Sequence, residues 1–289
     1  MVKVTEMCNE SDGKPVFICD FSPPRGGDPT LLDGANSLDS DFLCVAYSPG
    51  KAVRLDPIIA AHVLKQQTGK EVVFTLATRD MNRLAIQNHL LGATLLGLEN
   101  LVVVGGDPFG GKDLALVKNV SDFTSTKLIK ATKSMNEGVD FRGLRLRSPT
   151  DFCVGATVDL GREVEGEAQL LYKKVACGAD FLITQPVYDI DSLEGLLESY
   201  ESLAGEKLQI PLFVGLQVLE KDGIIFSDVP EKVRQELEQG RPGTDIAIEL
   251  LHEFFHRGLK NIYLVSPILR GGRRDYQAAQ RVLDATGGL

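Results

Sequence analysis

Apolar positions along this chain follow two alternating patterns. Short continuous runs, bounded by glycine, proline or an acid, recur at Pro15–Asp20, Asp41–Tyr47, Glu71–Ala77, Asn100–Val104, Phe152–Ala156, Asp180–Thr184, Ile210–Leu216 and Asn261–Val265. Unbroken aliphatic runs of this length predict strands buried on both faces rather than strands with one wet side. Between them the spacing changes to three and four. The clearest case is Leu55–Thr68, where Leu55, Ile58, Ile59, His62, Val63 and Gln66 share a face and Gly69 supplies a stop. Further helices are predicted from Asp80 to about Leu96, Ser121–Met135, Gly166–Cys177, Asp191–Leu203, Pro230–Glu238, Thr244–His256 with Thr244 as N-cap, and Asp275–Ala285. Asp28–Ser40 is a poorer helix, interrupted by Gly34; residues 1–14 read as a loose lead-in, and Gly138–Ser148 as a surface excursion.

Eight short strands alternating with helices, with no repeat and no linker, predict a single-domain α/β protein, a closed (β/α)8 TIM barrel over residues 1–289. An open doubly wound sheet is the competing arrangement, and the lack of an evident edge strand favours closure. Neither GxGxxG after the first strand nor GxxxxGK[ST] occurs, so both standard nucleotide-binding turns are missing.

In such a barrel the C-terminal tips of the strands form one mouth, where ligands bind. The tips carry Asp20, Tyr47, Thr75 with Thr78 and Arg79, Gly105-Gly106-Asp107 after Val104, Thr157, Gln185 and Gln217. The two glycines allow positive φ and close approach of backbone to a ligand, and Pro108 stiffens the chain behind Asp107. Asp20 is the candidate proton donor, or else the cap of the turn that follows it. Asp107 is the candidate electrostatic partner for positive charge developing on a bound ring. Gln185 offers a carbonyl and an amide suited to a pterin-like or flavin-like heterocycle. Glu167 and Lys174, seven apart on one helix, read either as a solvated face or as a ligand contact.

Composition narrows the chemistry. All four histidines fall on predicted helices, which argues against histidine acid–base catalysis and a histidine-rich metal centre, so no metal is expected. The five cysteines are scattered without a CxxC and read as reduced thiols, with Cys19 and Cys44 as small apolar residues of the barrel wall. Met1–Asp12 is polar rather than signal-like, no apolar run approaches the roughly 20 residues of a membrane span, and a net charge of −9 disfavours nucleic acid. A cytoplasmic protein acting on a small molecule is the expectation.

Four blocks then carry a resemblance. DFSPPRG at 20–26, LATRDMNR at 76–83, LLGATLLGLENLVVVGGDP at 90–108 and GADFLITQPVYD at 178–189 together resemble methylenetetrahydrofolate reductase, in its short bacterial form and in the reductase domain of fusions with a homocysteine methyltransferase. The resemblance implies a barrel holding FAD, reduced by NAD(P)H, that interconverts 5,10-methylenetetrahydrofolate and 5-methyltetrahydrofolate. It places the family's proton-donating acid on Asp20, the acid beside the flavin on Asp107, and the folate-binding glutamine on Gln185, with Gln217 and Tyr188 on the same substrate side. It places flavin contacts on Tyr47, Thr75, Thr78, Arg79, Val104, Gly105, Gly106, Asp107, Thr157, Glu167 and Lys174. It also implies a homo-oligomer and allows an electron-transfer or methyltransferase partner. The chain departs from the family at Asp20, where Glu is usual and the carboxyl would reach about 1.5 Å further. It departs again at Gly105, where the family has Arg, at Thr75, where it has a flavin-contacting His, and near Thr157, where it has a Tyr. A flavin-free reductase and a folate-binding subunit without catalysis are the alternatives these departures raise.

Overall fold

The computed structural model of the protein describes residues 2–225 and 227–288. Its strands are β1 (Val16–Phe21), β2 (Phe42–Val45), β3 (Glu71–Ala77), β4 (Asn100–Val104), β5 (Cys153–Val158), β6 (Phe181–Pro186), β7 (Leu212–Gln217) and β8 (Asn261–Val265). They close in sequence order into a parallel barrel, β8 pairing with β1. The outer helices are α2 (Pro57–Thr68), α3 (Arg83–Leu95), α4 (Ser125–Asn136), α5 (Val164–Ala176), α6 (Ile190–Ala204), α7 (Glu231–Glu238), α8 (Gly243–His256) and α9 (Tyr276–Asp284). The closed sheet predicted from the chain is therefore the observed one. Among the described residues no helix is long and apolar enough to cross a membrane.

Closure divides each strand by alternation. Val16, Ile18, Phe42, Cys44, Val73, Val102, Cys153, Phe181, Ile183 and Phe213 form the inner cluster. Their neighbours, such as Phe17, Leu43, Phe74, Leu101, Val154 and Val214, pack outward against the helices. Two glycines make room inside. A Cβ on Gly155 would stand 2.4 Å from the Phe181 ring, and one on Gly215 would stand 2.6 Å from the Gln185 carbonyl oxygen. At the second position β6 and β7 shift register between Ile183 and Pro186.

Three local expectations are corrected. Residues 1–14 are not a loose lead-in, because Val4–Glu10 forms α1 beneath the barrel. The Val4 N–H donates to Asn100 Oδ1 at 3.0 Å, Asn100 Nδ2 donates to the Val2 carbonyl at 3.1 Å, and Met7 and Cys8 pack on the inner cluster. A seven-residue helix is stable only through such docking, which periodicity does not reveal. The Asp28–Ser40 stretch is a 3-10 helix over Pro29–Ser37, capped by Asp28, rather than an α-helix. Thr244 is not the N-cap of α8, since the helix begins one residue earlier behind Pro242. There Gly243 lies directly against the Leu219 carbonyl, where no side chain would fit.

The thiols are the expected apolar fillers, on opposite sides of the wall: Cys19 faces the helices and Cys44 the interior. Burial pushes both up to about 12, and Cys153 up to about 11, from an ordinary 9.0. A thiol that ionises at higher pH in the fold than in the open chain stabilises the fold below about pH 9 and loses that contribution as pH rises toward 12. Urea midpoints measured across that window are expected to fall, with each buried thiol costing up to about 1.4 kcal/mol per pH unit. Replacement of Gly215 with Ala is expected to cost about 1–3 kcal/mol by overpacking, read from the same unfolding curves; an unchanged midpoint would contradict the close approach described here.

Candidate active site

The mouth is built from the last inward residue of each strand and the loops just beyond. Asp20 follows Val16 and Ile18 on the inner face of β1 and is 5% exposed. Tyr263 of β8 donates its hydroxyl to Asp20 Oδ1 at 3.0 Å, and Arg274, from the loop between β8 and α9, places Nη2 2.8 Å from Oδ2. Cys44 lies in the same nest, 3.7 Å from Thr75 Oγ1. The Tyr263 phenol is held well above its ordinary range, by burial first and then by the Asp20 charge, so it stays a donor. Sequence reasoning found Asp20 and Thr75 but missed Tyr263 and Arg274. Period-two alternation along Asn261–Val265 could have pointed to Tyr263; nothing periodic marks Arg274.

The β3 and β4 exits are fastened to each other. Thr78 N–H donates to the Val104 carbonyl at 3.1 Å, and Thr78 Oγ1 to the Gly105 carbonyl at 3.2 Å. Arg79 grips Asp80 with two bonds of 2.6 and 2.7 Å, donates to the Asp107 carbonyl at 2.9 Å, and covers the Phe109 ring at 4.3 Å. Those bonds to Asp80 raise the guanidinium above its ordinary range, and burial, then the Asp80 charge, raises the nearby Tyr47 phenol. Arg79 thus shapes the loop; its charge is already matched. Gly106 takes φ of +77°, and a Cβ there would crowd Ala77 and Arg79 at 3.2 Å. A Cβ on Gly105 would meet nothing within 4 Å, and Asp107 stands exposed on the rim beside half-buried Val104.

On the β5 side the pair seven apart is not a solvated face. Glu167 and Lys174 are 2% and 4% exposed, because two helical turns put both on the side of α5 that meets β5. Lys174 Nζ donates to the Thr157 carbonyl at 2.5 Å and to Glu167 Oε1 at 3.3 Å, while Arg162 stands 3.6 Å from Oε2, which has no hydrogen-bond donor among the described residues. Burial lowers the Lys174 ammonium from its ordinary range, opposed by Glu167.

Gln185 is inward by alternation after Phe181 and Ile183, and half-buried. Thr184 shapes its turn, donating to the Gln185 carbonyl at 2.7 Å and accepting from Gly215 N–H at 2.8 Å. Gln217 Nε2 donates to the Ile224 carbonyl at 3.0 Å and its buried Oε1 has no partner among the described residues. Tyr188 lies apart from these, its ring packed with Leu219, Val229, Leu237 and Ile246 under the loop after β7. A cavity of about 250 Å³ sits beside the mouth, between that loop, the α8 N-terminus and α9, and none of the catalytic, substrate or cofactor residues expected from the sequence lines it. All four histidines are on α2, α3 and α8.

This fold and site define a parallel barrel protein with a buried, ion-paired carboxyl in the wall of its mouth. Residues 3–222 match the family model described as methylenetetrahydrofolate reductase, and the chain belongs to that family. Among solved structures it is similar to an uncharacterised protein from Clostridium thermocellum that binds two copies of 5-methyl-5,6,7,8-tetrahydrofolic acid, at 15% identity and a TM-score of 0.65, over 96% of each chain. It is similar also to tryptophan synthase from M. tuberculosis, at 12% identity and a TM-score of 0.51 over 98% and 94% of the two chains. A putative deoxyribose-phosphate aldolase from Toxoplasma gondii matches at 9% identity and a TM-score of 0.50, over 95% and 94%. At these identities the structures share a fold with this chain.

Replacement of Lys174 with Met strands the Glu167 carboxylate in a buried site and is expected to cost about 3–5 kcal/mol in unfolding free energy. Adding Glu167→Gln to it should recover much of that loss. Independent, additive losses in the double-mutant cycle would contradict the pairing.

Proposed function

We propose that this protein is a flavin-dependent oxidoreductase that interconverts 5,10-methylenetetrahydrofolate and 5-methyltetrahydrofolate, with NAD(P)H as electron source. The observation that carries this reading is that Asp20 and Gln185 lie on one mouth, on strands three apart around the barrel, in a chain of the methylenetetrahydrofolate reductase family. Gln185 presents an amide able to donate and accept, which suits the edge of a pterin. Asp20 is the acid–base group at the folate nitrogen where the five-membered ring opens or closes. The 5-methyltetrahydrofolate held by the Clostridium thermocellum neighbour supports a reduced folate as the ligand of this cup.

The β3–β5 side of the mouth fits FAD. It has open space at Gly105, free of any atom a Cβ would meet, and a buried Glu167 oxygen with no donor among the described residues. The residues that would hold the cofactor are Thr78, Gly105, Gly106, Asp107, Thr157 and Glu167. Bound there, FAD supplies hydride-transfer chemistry. Asp107 on the rim offers negative charge to a ring that becomes positive. Lys174 and Arg79 act behind these residues, by fixing the Thr157 carbonyl and the Asp107 backbone.

A second reading has one observation in its favour. The Arg274 charge against Asp20 suits a site that binds reduced folate without proton transfer. The two readings separate on one preparation. Under the oxidoreductase reading the purified protein is yellow, its visible absorbance bleaches with NADH or NADPH, and colour returns on adding the methylene folate. Asp20→Asn is then expected to lower turnover by about 10²–10⁴-fold. Tight folate binding by a protein that transfers no hydride to any folate would establish the binding reading instead.

A further inference from the structure

We infer that the rim of the mouth above β8, β1 and β2 is an anion subsite. There Arg25, Arg54 and Arg273, gathered around the buried Arg274, take a phosphate or a carboxylate-bearing tail carried by the ligand of the cup. That the anion belongs to a folate or a nicotinamide dinucleotide rests on the function proposed above; the gathering of cations does not.

The charge balance of three loops carries the first part of the argument. β8, β1 and β2 are parallel neighbours, so the loops that follow them, residues 266–275, 22–28 and 46–56, leave the barrel side by side at the mouth. The chain as a whole is acidic, with 31 Lys and Arg against 40 Asp and Glu, yet these loops hold Arg25, Arg54, Arg270, Arg273 and Arg274. Each loop ends in an aspartate, and each of those carboxylates is spent on capping the helix that follows. Asp28 accepts from Thr30 N–H at 3.0 Å, Asp56 from Ile58 N–H at 2.9 Å, and Asp275 from Ala278 N–H at 3.0 Å. Asp20 stands against Arg274, and Asp222 pairs with Arg270 in an exposed contact of little strength. Arg25, Arg54 and Arg273 have no carboxylate partner among the described residues.

The second part is that these cations are held together. Arg54 is half-buried and ties the loops to one another: Nε donates to the Pro49 carbonyl at 3.2 Å and Nη1 to the Pro23 carbonyl at 2.9 Å, while Leu55 N–H donates to the Pro24 carbonyl at 2.9 Å. Its Nη2 lies against the β8 loop, where a Cβ on Gly272 would stand 3.3 Å away. Burial, and then the charges of Arg274 and Arg25, lower this guanidinium from its ordinary range. Arginines on a solvated face spread apart to relieve such repulsion. Arg54 is fixed by two carbonyls and stays where its neighbours oppose it. Arg274, with its side chain 8% exposed, keeps its Nε buried and without an acceptor among the described residues. Arg25 and Arg273 are exposed and stand beside this fixed pair with their guanidinium forks unoccupied. Planar forks of this kind match the oxygens of a phosphate or a carboxylate two at a time.

The test is equilibrium binding to the whole protein, read by titration calorimetry. Tripolyphosphate probes the anion alone and is expected to bind saturably. Arg25→Gln together with Arg273→Gln is expected to weaken it roughly five- to thirtyfold, and Arg25→Lys with Arg273→Lys to retain most of the affinity. Arg142→Gln with Arg147→Gln removes the same charge from the exposed loop before β5 and is expected to change nothing. Two ligand pairs then identify the source: the tetraglutamate and monoglutamate forms of 5-methyltetrahydrofolate, and NADPH and NADH. A preference for the more charged member of a pair, lost in the Arg25→Gln and Arg273→Gln protein, assigns the subsite to the glutamate tail or to the 2′-phosphate. Failure of tripolyphosphate to bind saturably, an affinity unmoved in that protein, or no preference within any pair that binds would overturn the subsite. Tripolyphosphate bound through these arginines by a protein that takes up neither folate nor dinucleotide would leave the subsite standing and count against the proposed function alone.

Discussion

A parallel barrel that closes with eight strands has one inescapable consequence: every second side chain points into a space that excludes water. In this protein that space is filled by Val, Ile, Phe and Cys up to the level of Phe181 and Phe213. The next residue inward on β1 is an acid. A carboxyl at that depth, 5% exposed, calls for partners: Tyr263 donates to Oδ1, and the Arg274 guanidinium stands 2.8 Å from Oδ2, which has no hydrogen-bond donor among the described residues.

The mouth solves the same problem twice. Opposite Asp20, the buried Glu167 is matched by Lys174 and Arg162, and Lys174 in turn fixes the end of β5 through the Thr157 carbonyl. Arg79 repeats the theme at the β3–β4 exit with Asp80. Buried pairs of this kind contribute little net stability against an apolar replacement, but breaking one partner is costly. Their value here is positional. They hold backbone carbonyls and loop turns at the rim, fixing the β3–β4 exit and the end of β5.

Much of this was legible in the chain. Unbroken apolar runs located all eight strands, three of them with the observed ends, because a strand buried on both faces leaves an unambiguous signal. The strand tips then gave Asp20, Thr75, Thr157 and Gln185 by position alone. What escaped was long-range or context-bound. Arg274 sits in an aperiodic RGGRRD stretch whose partner is on the first strand, and α1 exists only because Asn100 and the barrel floor receive it. Position put Arg79 at the mouth and the resemblance made it a flavin contact, but an adjacent Asp gives no hint of the two-bond grip that occupies its guanidinium. Glu167 and Lys174 could not be told from a solvated pair, since spacing of seven fixes a shared face but not which way it looks. Tyr188 followed the TQ block in the resemblance, yet its ring belongs to the cluster beneath the β7 loop.

The central claim is that a reduced pterin occupies the cup between β1 and β6. A crystal structure of the protein with 5-methyltetrahydrofolate tests it most directly. The account requires the pterin edge within hydrogen-bond distance of the Gln185 amide, with Asp20 facing the nitrogens of the opened ring. A pterin lodged elsewhere, for example in the cavity beside the α8 N-terminus, with the mouth empty at saturating ligand, would contradict it.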